Sequence, residues 1–268
     1  MSCRTACLLA LVVSSSTLFA QVSHSTEEVQ VAPPLIRAIE PPSHEATVAD
    51  LEKQADELRS EKMYLDALDY YHAALAKDAN DAHLLNKIGI TELMMQRYHE
   101  AKKSFEQAIH CDRKFADAYN NLGVIFYENK KFGAAVKQYQ KAIAVNSSSA
   151  SFFNNLGAAY FSKREFEPAV VAYQHALELD PDVFQRSSRG GVLAQLPSPE
   201  DRARYDYTVA KLYAKMGFSD QSLEYLRKAM EDGYKELNNV YKDIEFTQLR
   251  KNPRFTELMA LNMPTVTN

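Results

Sequence analysis

From about residue 48 the chain sets apolar residues at the three-and-four spacing of an amphipathic helix, in paired stretches of about 13 residues. The pattern repeats with a fixed step. Ala67, Ala101, Ala135 and Ala169 stand 34 residues apart. An aromatic ring follows each (Tyr71, Phe105, Tyr139, Tyr173), and then a second alanine (Ala74, Ala108, Ala142, Ala176). A small residue precedes each set (Ala55, Gly89, Gly123, Gly157), and four residues earlier stands a large apolar one (Leu51, Leu85, Tyr119, Phe153). A small residue at the crossing of two helices lets their axes approach, and the ring fills the space left between units. One helix pair cannot bury its own apolar face, so the pairs must stack. The pattern predicts four pairs, at residues 48–81, 82–115, 116–149 and 150–183.

These positions resemble the tetratricopeptide repeat (TPR) family, whose signature runs aromatic, Leu-Gly, Tyr, Ala-x3-Phe, Pro on this period. The fourth copy, ending at Pro181, matches nearly every position. The first is weakest, with Gln54 and Ala55 in place of Leu-Gly. The resemblance implies an all-α, right-handed α-α superhelix (a TPR solenoid) of four regular repeats, a degenerate fifth and a C-terminal helical cap. Residues 184–198, with Ser-Ser, Gly-Gly and Pro197, predict a loop. Residues 199–234 predict the fifth copy, opened by Ser198 as N-cap and Pro199 as first helical residue. Ala210 takes its glycine place and Ala229 its last alanine place, while Ser222 and Leu226 replace the first alanine and the aromatic. Residues 235–268, with Asp243, Phe246, Leu249, Pro253 and Phe255, resemble the tails that close bacterial arrays of this family, and predict a cap over the last apolar face.

Before the repeats the pattern differs. Residues 1–20 join a basic Arg4, an apolar stretch at 7–13 and small residues up to Ala20, the layout of a secretory signal peptide. The stretch is too short for a membrane span of roughly 20 residues, and an uncleaved N-terminal anchor is the competing reading. Residues 21–47 carry two Pro-Pro pairs and predict a disordered linker, up to a cap at Thr47. The sequence thus points to an exported protein, periplasmic or secreted if bacterial. Cleavage would leave Cys111 as the one cysteine, unable to form an internal disulfide and expected as a small, buried or half-buried side chain.

Composition excludes more than it assigns. A net charge of -4 and a pI near 6.0 give no basic surface for nucleic acid. His44 and His99 each open an HE pair but lack the second histidine of a zinc-protease helix. The Gly-Gly at residues 190–191 lacks the Lys-Ser/Thr of a phosphate loop, and no nucleophile elbow is present. The sequence predicts no catalytic residue, no metal site and no cofactor.

What remains is a surface. In an array of this kind the first helices line the concave face, and the positions opposite the packed ones are Asn86, Asn120 and Asn154, then Lys87, Asn121 and Asn155, with Tyr127 and Phe161 a turn or two further on. An amide donates and accepts, so a row of them can follow an extended backbone whatever its sequence. Family members with Asn at the place of Asn121 and Asn155 use it in this way, a role that Lys87 departs from. The implied function is a protein-protein scaffold holding an extended or helical segment of a partner in its groove. The alternatives are an accessory subunit of an envelope assembly or secretion machine, and a self-assembling repeat.

Overall fold

In a computed structural model of the chain, residues 39–185 and 198–260 are described. They hold eleven α-helices and no strand. Four hairpins come first: α1 (Val48–Ser60) with α2 (Tyr64–Lys77), α3 (Ala82–Met94) with α4 (Tyr98–Cys111), α5 (Ala116–Glu128) with α6 (Phe132–Val145), and α7 (Ala150–Ser162) with α8 (Phe166–Leu179). A fifth follows, α9 (Pro199–Lys215) with α10 (Ser219–Glu231), and then three short 3-10 turns and α11 (Pro253–Ala260).

The starts and turns of these helices follow from local chemistry. Thr47 and Ser198 accept from the backbone N–H three residues on, at 3.2 and 3.0 Å, and Asp81 caps α3 through His83 and Leu84. Each first helix ends the same way. The N–H of Met63, Arg97, Lys131, Glu165 and Phe218 reaches back to Leu58, Glu92, Phe126, Tyr160 and Tyr213 at 2.8–3.0 Å. That bond closes around one residue in the left-handed region: Lys62, Gln96, Lys130 and Arg164, with φ of 57 to 64°, and Gly217 in the fifth hairpin.

Within each regular hairpin the two helices touch at the glycine. A Cβ added to Gly89 would sit 2.6 Å from the ring of Phe105. At Gly123 and Gly157 it would lie 2.5 Å from the rings of Tyr139 and Tyr173. Those rings and Tyr71 are fully buried, between alanines that are fully buried as well. The phenol oxygens of Tyr139 and Tyr173 have no hydrogen-bond partner, so their rings are there for volume.

The fifth hairpin continues the core of the fourth. Tyr205 of α9 lies edge-on to Phe161, Tyr173 and Phe184, with ring centroids 5.4 to 6.1 Å apart. Ser222, at the alanine place, is fully buried and donates to the Ala210 carbonyl at 2.8 Å, so its hydroxyl is satisfied. Phe246, Leu249, Phe255 and Met259 bury themselves against this hairpin and close the array. Arg250 pins the short turns by donating to the carbonyls of Val240 and Asp243.

The signal peptide, most of the linker and most of the loop lie outside the described residues. The last linker residues are ordered on α2: the Ile39 N–H donates to Asp66, Tyr70 to the Glu40 carbonyl and Lys77 to the His44 carbonyl. Phe184, at the head of the expected loop, is a core residue packed on Tyr173.

Candidate functional site

The first helices α3, α5 and α7 bring the sequence-predicted residues into one line, and the amides bond to one another. Asn121 Nδ2 donates to Asn86 Oδ1 at 2.9 Å, and Asn155 Nδ2 to Asn120 Oδ1 at 2.9 Å, each across an offset of 35 residues. Asn120 Nδ2 donates to Asn121 Oδ1 at 3.3 Å. The four amides therefore form one directional chain, Asn155 to Asn120 to Asn121 to Asn86. The ladder gains a charged rung at its start. Lys87 reaches back by the same offset to Glu52 at 2.6 Å and also meets Asp56 at 2.5 Å.

The expected row of solvated amides is therefore largely closed. Asn86, Asn120, Asn154 and Asn155 are buried, as are Tyr127 and Phe161. The cause is the contact between neighbouring first helices, which presses the fifth position of one copy against the sixth of the next. Tyr127 bonds Ser162 of the next copy at 2.6 Å and packs on Phe132, and Phe161 packs on Phe166, so neither ring opens a pocket to solvent. Asn121 and Lys87 stay half-buried. With one N–H spent on Asn86 and its oxygen on Asn120, Asn121 keeps one N–H that the ladder does not use.

Lys87 is not free to clamp a carboxylate. Burial works against its charge, but hydrogen bonds to Asp56 and Glu52 outweigh that and hold its pKa above the usual lysine value. Burial would likewise raise Asp56, and the bonds from Lys87 and Tyr71 override it and hold the carboxyl below its ordinary range. On α3 this face also carries apolar side chains. Met94 is 45% exposed and Ile90 half-buried, beside Lys87 and Asn121. Ile90 was legible from register, one step past the glycine. Met94, the thirteenth residue of its copy, also falls on the groove face by register.

The fifth copy uses its face differently. Tyr207 and Lys211 stand at the register places of Asn86 and Ile90, and the C-terminal segment covers them. Tyr207 stacks on Tyr234 at 4.3 Å and donates to Asp243 at 2.9 Å, and Lys211 pairs with Asp243 and Glu245 at 3.0 and 3.4 Å. Among the described residues no cluster of His, Cys, Asp or Glu has the makings of a metal site. Cys111 is exposed rather than tucked in, because it ends α4 on the side away from the core.

Comparison with known proteins fits this geometry. The tetratricopeptide repeat family model matches residues 150–183, and a second model described as TPR repeat matches residues 125–163. The chain carries tetratricopeptide repeats. Solved structures share the TPR solenoid. A structure of Pseudomonas aeruginosa PilF is 20% identical, covers 76% of this chain and 82% of its own, and superposes with a TM-score of 0.51. MamA from Desulfovibrio magneticus RS-1, from its residue 41 to the end, is 18% identical, with coverages of 70% and 96% and a TM-score of 0.50. Likeness at these identities shows the common fold. No curated protein matches the TPR chain.

Proposed function

We propose that the chain is a protein-interaction scaffold that holds an extended or helical segment of a partner against the first helices of copies 1 to 3. The observation that carries this reading is the open strip of Ile90, Met94, Lys87 and Asn121 beside a ladder whose other amides are spent on one another. Apolar side chains of the segment would lie on Ile90 and Met94, and the unspent N–H of Asn121 would meet a backbone carbonyl. The buried residues Asn86, Asn120, Asn154, Asn155, Tyr127 and Phe161 hold the strip in shape and touch no ligand. The polar pairing supports a passive surface, and no reaction or cofactor is part of the reading.

The test is capture of the native partner by cross-linking, comparing wild type with Met94→Glu, which alters the exposed strip and leaves the amide ladder intact. The partner is expected to be lost while the helical circular dichroism and melting curve stay close to wild type. A variant that stays folded and keeps the same partner sinks the proposal.

We also propose export. Its support is the layout of residues 1–20, in which Arg4 is followed by an apolar stretch at 7–13 and a short segment ending at Ala20. Expression of the full chain in a bacterial host, with the mature N-terminus read by mass spectrometry, tests it. A mature chain starting at Gln21 in the exported fraction is expected. A protein that keeps its first residues and stays in the cytoplasm overturns export.

A further inference from the structure

The second helices of copies 1 and 2, α2 and α4, enclose a groove of about 730 Å³. Its floor is Leu85 and its far wall is Ala76 and Ala79. The repeat itself shows what this space normally holds. Leu85 occupies the place that Tyr119 and Phe153 take in copies 3 and 4. In copy 3 the ring of Tyr119 lies under Lys141, with Nζ 5.7 Å from its centroid. In copy 4 the ring of Phe153 lies against His175 at 5.3 Å. Copy 2 has Leu85 with Gln107 at those two places, so the ring is missing and Gln107 lines the groove where Lys141 and His175 meet a ring. On the copy 1 side two alanines, Ala76 and Ala79, line the groove, and His110 lines it from the copy 2 side. A short side chain on the floor and two alanines on the wall leave room for a ring.

We propose that this groove is a binding site for an aromatic side chain of a protein partner, one flanked in sequence by a carboxylate. Charge gives the second half. Lys103 lines the mouth, is exposed and has no ion pair among the described residues. The neighbouring Glu106 is held by Lys102 at 3.1 Å, so the free charge at the mouth is positive. The partner's ring takes the place of Tyr119 or Phe153, and its carboxylate meets Lys103. This site lies between second helices and does not depend on the reading of the first-helix face.

The full chain, labelled with 15N, is titrated with two probes, acetyl-Glu-Tyr-Glu-amide and acetyl-Lys-Tyr-Lys-amide. The acidic peptide is expected to shift the amide resonances of Ala76, Ala79 and Gln107 at millimolar concentration. It should bind about two- to five-fold more tightly than the basic one, the scale of one exposed ion pair. Lys103→Glu should reverse that preference. Leu85→Tyr, which copies the third repeat, should remove the shifts and melt no lower than wild type. Ala79→Arg blocks the mouth from an exposed position and should remove them even if Leu85→Tyr fails to fold. Shifts that fall elsewhere, that persist in Ala79→Arg, or that never appear overturn the proposal. So does a wild type that self-associates on sedimentation where Leu85→Tyr is monomeric, because the groove would then hold a second copy of this chain.

Discussion

At the scale of single residues, the decisive contacts are glycine against ring and amide against amide. Alanine ordinarily favours a helix over glycine by about 1 kcal/mol. At Gly157 the added methyl would lie 2.5 Å from the Tyr173 ring, inside a layer of buried alanines that cannot retreat. Gly157→Ala is therefore expected to lose about 1–3 kcal/mol of stability in urea unfolding, against the sign of helix propensity. A gain would refute the close approach. The ladder makes a second test. Asn155→Ala leaves the Asn120 oxygen buried without its donor, and should cost about 1–3 kcal/mol. A loss of a few tenths would mean that the amide is solvated. The consensus register made Gly157 legible in the sequence. It did not reveal that the Asn row would bond to itself, since Asn is at home both on a wet surface and in a buried pair.

At the scale of elements, the hairpin turn is one design used five times, with an uneven choice of residue. Four turns hold Lys62, Gln96, Lys130 and Arg164 in the left-handed region, where a Cβ crowds the following carbonyl. The fifth uses Gly217. Lys130→Gly should raise stability by about 0.5–1 kcal/mol, because the relief of the crowded Cβ exceeds the entropy that glycine adds to the unfolded chain. Thermal melts of the single variant check it, and a lower melting temperature would show that the Lys130 stem packs. Turn positions were legible from the repeat, and their backbone sign was not, because lysine and arginine give no hint of positive φ. The fifth hairpin was legible through Ala210 and Ala229, and the structure added Tyr205 as the ring that ties it to copy 4.

At the scale of the whole molecule, stability should depend on pH through the fifth hairpin. Asp206 is buried between α9 and α10, and burial pushes its pKa up to about 7, with Asp232 adding to the rise and Lys228 and Arg202 opposing it. The folded chain therefore holds a proton that the unfolded chain, near the ordinary aspartate value, has released. Between about pH 4 and pH 7 the native state binds more protons, so this contribution falls as pH rises and is lost above about 7. The urea midpoint of wild type should drop from pH 5 to pH 8, and Asp206→Asn should shrink that drop. An unchanged slope in Asp206→Asn would place the titration elsewhere. The sequence by itself determined the helix pairs, their period and the stacking order, because the spacing of small and large apolar residues leaves one way to bury them. Only the tertiary structure decided which polar residues stay wet. That outcome depends on how closely neighbouring first helices approach, and on a C-terminal segment that returns across Tyr207 and Lys211 from more than twenty residues away. Both are distances between copies, and no single copy encodes them.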